Sequence, residues 1–211
     1  SDNTGMVYVG SMLGTGRLLS YLKKFSIGEL TGIDLQGEVA PNLRDADKWY
    51  PIDAATLSFG QGVSVTPVEL LSGFSVIANE GKRMEPHVVV KIQTPEGETI
   101  AVPPKVVEQP ISKTTAKVMT EILVNAVANG EAKWAKPKGY RIAGKTGTSQ
   151  IPIAGHYDPD KTIASFIGFA PADNPKFAML VIVDRPTTSI YGSETAAPIF
   201  FDITRDLLTY Y

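Results

Sequence analysis

The chain has 211 residues, 43% hydrophobic and 20% charged, with 20 basic against 22 acidic side chains. That balance excludes a disordered chain, and the nearly cancelled charge lacks the one-sided basic excess of a nucleic-acid surface, so no nucleic-acid partner is expected. The absence of cysteine excludes disulfides and thiolate metal sites.

The length suits one domain with a sizeable core. His87 and His156 stand far apart with no second-ligand spacing, so no metal is expected. The longest apolar run, residues 177–183, is too short to cross a bilayer. No signal-peptide pattern is read within these 211 residues, and an anchor upstream of Ser1 is compatible with that.

In chain order, residues 4–25 read as helix broken at Gly14-Thr15-Gly16, with Thr15 as N-cap and Leu18, Leu19, Leu22 and Phe25 on one face. Gly28 ends it. Residues 32–57 read as loop, punctuated by Gly37, Pro41 and Pro51. Thr66-Pro67-Val68-Glu69 is the clearest helix start, combining a capping box with proline at the first helical position. Leu70, Leu71, Phe74, Ile77 and Ala78 follow at helical spacing, and Asn79-Glu80-Gly81 stops the run. Residues 88–94 and 98–102 flank Pro95-Glu96-Gly97 as a hairpin. The proline-rich residues 103–110 read as a connection.

Residues 112–129 form a second long helix with core face Met119, Ile122, Leu123, Ala126 and Val127, ended by Gly130. Strands are expected at 141–150, 162–169 and 176–184, the last two joined by a short turn and so antiparallel. Residues 195–211 close the chain as a helix whose apolar face is Ile199, Phe200, Ile203 and Leu207. Helices, then a strand meander, then a closing helix make an α+β layer arrangement.

Three local patterns bear on chemistry. The stretch from Gly139 to Thr146 fits the phosphate-binding pattern with two glycines followed by Lys145-Thr146. Such a loop must leave a hydrophobic strand and open a helix whose N–H groups meet the phosphates. Trp134-Ala135-Lys136-Pro137-Lys138 is no such strand, and Gly147 to Pro152 cannot start a good helix, so nucleotide binding is rejected. Ser20-Tyr21-Leu22-Lys23 matches Ser-x-x-Lys, in which a lysine on the same helix face deprotonates a serine. It reads instead as a solvated face over Leu22 and Phe25. The third, Ala143-Gly144-Lys145-Thr146-Gly147-Thr148-Ser149, reads as an edge strand. It offers a fixed cation, hydroxyls at Thr146 and Thr148 for a substrate carboxylate, Gly147 for close approach, and free N–H groups for an oxyanion. An ordinary glycine-containing strand has the same pattern.

Taken with Ser1-Asp2-Asn3, Lys145-Thr146-Gly147 resembles the second and third motifs of penicillin-binding proteins and serine β-lactamases. Thr31-Gly32-Ile33-Asp34-Leu35-Gln36-Gly37-Glu38 is similar to the family's loop after the helices that follow the second motif. The segment from Ser58 to Pro67, that from Ala164 to Pro171, and Ala196-Ala197-Pro198-Ile199-Phe200 agree in order. Ile163-Ala164-Ser165-Phe166 fits class B members, the cell-division transpeptidases in particular. The long inserts over 31–67, and the lack of a deacylating glutamate segment, disfavour a β-lactamase.

The resemblance implies a penicillin-binding transpeptidase or serine β-lactamase-like fold, helices on an antiparallel sheet, with residues 1–211 as the C-terminal portion of one domain. It implies a D,D-transpeptidase acting through a serine acyl-enzyme, without cofactor or metal. Ser1 relays a proton, Asn3 binds the peptide carbonyl, and Asp2 is structural. Lys145 acts electrostatically, Thr146 and Thr148 hold the carboxylate, Gly147 admits the substrate, and the Thr148 N–H is an oxyanion donor. Asn3 and Lys145 are expected to face a shared cleft. The nucleophile and the first sheet strands are expected upstream, leaving one sheet edge and several helix faces without neighbours and the lone chain inactive. Expected partners are peptidoglycan stem peptides, β-lactams, the missing N-terminal segment and a cell-division complex, at the extracytoplasmic face of a bacterial inner membrane. The alternatives are a penicillin sensor or interaction domain of the same fold and, through the phosphate-loop pattern, a nucleotide-binding protein. A titration with ATP is expected to show no binding, and saturable binding would restore that last reading.

Overall fold

Gly14, at φ +82°, divides the first helical stretch into α1 (Asn3–Leu13) and α2 (Thr15–Lys24) in the computed structural model of the chain, which describes residues 2–153 and 156–211. Gly14 itself caps α2, and the expected cap, Thr15, is the first helical residue. The described residues fall into two units. The first holds the chain up to Val76 together with Gly81–Ile111, and the second holds Ile77–Glu80 and Ser112–Tyr211.

In the first unit the Asp2 carboxylate caps α1, accepting the Gly5 N–H at 3.1 Å. A 3-10 turn (Ala46–Lys48) and α3 (Pro51–Ser58) occupy part of what the sequence suggested was loop. Pro51 pre-sets the first helical φ, and Asp53 accepts the Tyr50 N–H at 2.9 Å, so the proline that read as punctuation is a helix start.

Helix α4 (Pro67–Ala78) begins at the predicted capping box. The Glu69 N–H donates to Thr66 Oγ1 at 3.2 Å, and the Thr66 N–H donates to Glu69 Oε2 at 2.5 Å. The other carboxylate oxygen accepts the Gly28 N–H at 2.8 Å, so one fully buried glutamate ties the start of α4 to the chain just beyond α2. The deep stripe of α4 is therefore Glu69, Gly73 and Val76, while the expected core residues Leu70, Leu71, Phe74, Ile77 and Ala78 are half-buried. Gly73 explains the shift: a Cβ there would lie 2.7 Å from the Phe25 carbonyl oxygen, so only a bare backbone lets the helix approach so closely.

Glu38 closes the loop before α3, accepting the Thr31 N–H at 2.6 Å, the Thr31 hydroxyl and the Gly32 N–H at 3.2 Å. Burial pushes its carboxyl up, but these hydrogen bonds outweigh that and hold it below the usual range. Asp34 accepts the Val88 and Val89 N–H groups at 2.7 and 2.9 Å, which lower its pKa. The expected hairpin is present as β2 (Lys91–Gln93) and β3 (Thr99–Ala101), with Ile92 opposite Ile100. The proline-rich connection contains β4 (Val106–Glu108), which pairs antiparallel with β1 (Arg83–Met84), and neither strand was legible in the sequence.

In the second unit α5 (Lys113–Asn129) starts at Ser112, whose hydroxyl accepts the Thr115 N–H at 3.0 Å. Three antiparallel strands follow in the order β5 (Ala143–Ile153), β6 (His156–Ala170) and β7 (Phe177–Asp184). Among the described residues the outer edges of β5 and β7 have no strand neighbour. Helix α6 (Ala196–Leu207) packs on β6 and β7, and α5 along β5. The core centres on Phe166, whose ring lies 4.6 Å from that of Phe200 and 5.1 Å from that of Phe201.

On both helices the buried face overlaps only in part with the one their periodicity suggested, at Leu123 and Val127 of α5 and Phe200 of α6. Ala116, Leu123 and Val127 are the buried residues of α5, while Met119 and Ile122 are exposed. On α6, Ala197, Phe200, Phe201 and Thr204 are buried, while Ile199 and Ile203 are exposed. No helix among the described residues is long and apolar enough to cross a membrane.

Replacing Glu69 by alanine strips two backbone N–H groups of a carboxylate and is expected to cost about 3 kcal/mol in urea unfolding. Thr66→Ala removes only a cap and is expected to cost about 1 kcal/mol. Equal costs would mean that the Gly28 contact contributes nothing.

Candidate active site

Lys145, Thr146, Gly147 and Thr148 are consecutive on β5, opposite Ile167, Phe166, Ser165 and Ala164 of β6. One edge of β5 is occupied by β6, and the other has no strand partner among the described residues. The strand runs extended through Ile153, so no helix N-terminus follows Lys145 and the phosphate-loop pattern has no phosphate-loop geometry.

Strand alternation sends Lys145 and Gly147 to one face, and Thr146 and Thr148 to the other. The Lys145 ammonium nevertheless reaches Thr146, donating to its carbonyl oxygen at 2.9 Å and to Oγ1 at 3.2 Å. Burial lowers the pKa of this lysine, and the charge of Glu131 opposes that shift. The Thr148 hydroxyl oxygen accepts the Gly192 N–H at 3.1 Å. Each threonine thus has a lone pair taken by an N–H donor, which leaves its own proton to be offered elsewhere.

Gly147 lies against the paired strand. A Cβ there would lie 2.4 Å from Ser165 Oγ, so a side chain at this position would require that hydroxyl to turn aside.

Of the remaining predicted site residues, Ser1 lies outside the described residues. Asn3 is the exposed first residue of α1, in the first unit, whereas Lys145, Thr146, Gly147 and Thr148 lie in the second. The commitment of the Asp2 carboxylate to Gly5 accords with a structural role for it. Ser20 and Lys23 are both solvent-exposed on α2. Gly192, Thr162 and Ser165 had no signal in the sequence, because their closeness to the site depends on the β5–β6 register and on the path of the loop before α6. Among the described residues no group of three or more His, Cys, Asp or Glu side chains is arranged to hold a metal.

Comparison with known proteins places this geometry. The family described as penicillin binding protein transpeptidase domain matches residues 1–205. Stage V sporulation protein D of Bacillus subtilis is 41% identical over 99% of this chain, which covers 33% of that protein. The peptidoglycan D,D-transpeptidase FtsI of Buchnera aphidicola from Baizongia pistaciae is 34% identical over 99% of the chain and 36% of its own length. The chain thus spans about a third of these curated relatives. Penicillin binding protein 3 of Mycobacterium tuberculosis, solved in complex with ampicillin, superposes with a TM-score of 0.91 at 31% identity, covering 99% of this chain and 49% of that one. A family match along nearly its whole length, joined to a fold shared with a solved member, means that the chain belongs to the penicillin-binding-protein transpeptidase family, in its class B branch.

Proposed function

We propose that residues 1–211 are the C-terminal part of one transpeptidase domain and supply the lysine-bearing strand of a peptidoglycan D,D-transpeptidase. The observation that carries this reading is the pair of threonine hydroxyls on β5, each held from behind by an N–H donor beside a partly desolvated ammonium. Two hydroxyls with a proton left to donate and one positive charge on the same strand are complementary to a carboxylate. The C-terminal carboxylate of a stem peptide, or the acid group of a β-lactam, has that chemistry.

In this reading a serine outside these 211 residues attacks the carbonyl of the penultimate D-alanine, and the terminal D-alanine leaves. The amine of a neighbouring stem peptide then takes the acyl group. Thr146 and Thr148 hold the departing carboxylate, and Lys145 stabilises it electrostatically. The Thr148 N–H donates to the oxyanion in this reading, a contribution of about 3 kcal/mol in comparable sites. Ser1 and Asn3 are assigned to the proton relay and the peptide carbonyl. In this reading the nucleophile is not Ser20, since Ser20 and Lys23 are both exposed to solvent on α2. The enzyme works at the extracytoplasmic face of the bacterial inner membrane, within a wall-building complex of the cell-division type. Its kinship with a protein solved with ampicillin supports β-lactams as ligands.

The isolated 211-residue chain is expected to form no covalent adduct with a labelled penicillin, since loss of the nucleophile costs on the order of a million-fold. A stoichiometric adduct would overturn the placement of the nucleophile. In the intact protein, Lys145→Met is expected to lower acylation about a hundred-fold; unchanged acylation would remove Lys145 from the site.

The same substitution should stabilise the fold. Because the folded pKa of Lys145 is lowered, the charged form costs stability at all pH values below that folded pKa, and the cost vanishes as pH rises to the unfolded value. Lys145→Met is therefore expected to melt higher than the parent at pH 7, with a gain that shrinks as pH approaches 10.5. A lower melting temperature at pH 7 would show that the ammonium is held by favourable contacts.

A further inference from the structure

Residues 190–195, between β7 and α6, form a short strap across the β5–β6 ladder, tied down on both sides. Thr162 of β6 is 1% exposed and donates its hydroxyl to the Ile190 carbonyl at 2.7 Å. On the helix side, the Tyr191 carbonyl accepts the Thr195 hydroxyl at 2.8 Å and the Glu194 N–H at 3.1 Å, and the Gly192 carbonyl accepts the Ala197 N–H at 2.9 Å. Between these ties Gly192 presses onto the ladder at the Gly147–Ser165 pair. A Cβ at Gly192 would lie 2.3 Å from the Gly147 carbonyl oxygen and 2.4 Å from that of Ser165. From that position its N–H meets Thr148 Oγ1 at 3.1 Å.

A threonine hydroxyl has one proton and two lone pairs, and left alone it rotates freely between donating and accepting. The Gly192 amide removes that freedom on the strap side. A backbone N–H cannot rotate away or titrate, so its aim depends entirely on where the strap lies. The strap in turn depends on the hydroxyl of a buried threonine on the neighbouring strand, whose backbone carbonyl accepts the Arg185 N–H at 2.9 Å.

We propose that the strap is a positioning device for ligand recognition: Thr162 holds it, Gly192 lets it descend onto the ladder, and its amide sets the Thr148 hydroxyl as a donor toward an incoming carboxylate. This rests on the reading of Thr148 given above. Thr162 and Gly192 are positioning residues and touch no substrate. Their effect is confined to ligands that carry a carboxylate, which separates it from a general loosening of the sheet.

The test compares acylation of the intact protein by a labelled penicillin and by its methyl ester. Thr148→Val is expected to abolish the preference for the free acid. Thr162→Val is expected to slow acylation by the free acid about fivefold, the worth of one oriented hydrogen bond, and to leave the ester within about twofold. Thr162→Ser is expected to restore the free-acid rate. Gly192→Ala, which cannot descend, is expected to act in the same direction more strongly, and Thr162→Val to add nothing in a Thr148→Val background. If Thr162→Val slows both ligands equally, or neither, while Thr148→Val erases the preference, the strap proposal falls and the site reading stands. If Thr148→Val keeps the preference, the carboxylate reading falls and the strap proposal with it.

Discussion

A β-strand with one paired edge and one open edge is the constraint from which the site follows. Pairing with β6 fixes the register of β5 residue by residue, and with it the face each side chain takes. On this strand the Lys145 ammonium donates to the Thr146 carbonyl oxygen and Oγ1. Among the described residues no second strand pairs with β5, and one that did would consume the backbone groups of that edge. The remainder of the second unit holds this strand in place, with Phe166 gripped by Phe200 and Phe201 and α5 laid along β5.

The first unit is organised by a different kind of interaction. Glu69 is a buried carboxylate, which on its own would be strongly unfavourable. It is tolerated because it satisfies two backbone N–H groups that a turn and a helix start leave without partners. The same logic recurs at Glu38 and Asp34, whose carboxylates close one loop and join it to residues 88 and 89. Three acidic side chains thus do for this loop-rich unit what long strand ladders do for the second.

What the sequence made legible was whatever is local. The capping box at Thr66, the break at Gly14, the hairpin turn at Pro95-Glu96-Gly97 and the three long strands are encoded in neighbouring residues, and all are present. The strand motif was readable for the same reason, since four adjacent residues carry it. What escaped is what depends on distant pairing. The β1–β4 ladder is too short to show alternation, and the loop expected over 32–57 hid a helix whose start is a proline. The buried faces of α5 and α6 were legible only in part: Leu123, Val127 and Phe200 are buried as their spacing suggested, while Met119, Ile122, Ile199 and Ile203 are exposed, because periodicity finds apolar positions but not which of them tertiary packing covers. Gly192 and Thr162 stand 44 and 14 residues from Thr148, and only the fold brings them to bear on it.

The crowding at Gly147 and Gly192 also limits how this site can diverge. At Gly147 a side chain would meet only the Ser165 hydroxyl, which can turn aside, whereas at Gly192 it would meet two backbone carbonyl oxygens of the ladder, so Gly192 is the position of the binding strip that resists variation. Tyr191, next to the tethered glycine, is 52% exposed and carries its ring on a backbone that the same ties hold rigid. New selectivity would therefore be written there, in the choice of a side chain displayed from a fixed mount, while the hydrogen-bonding strip beneath it stays as it is.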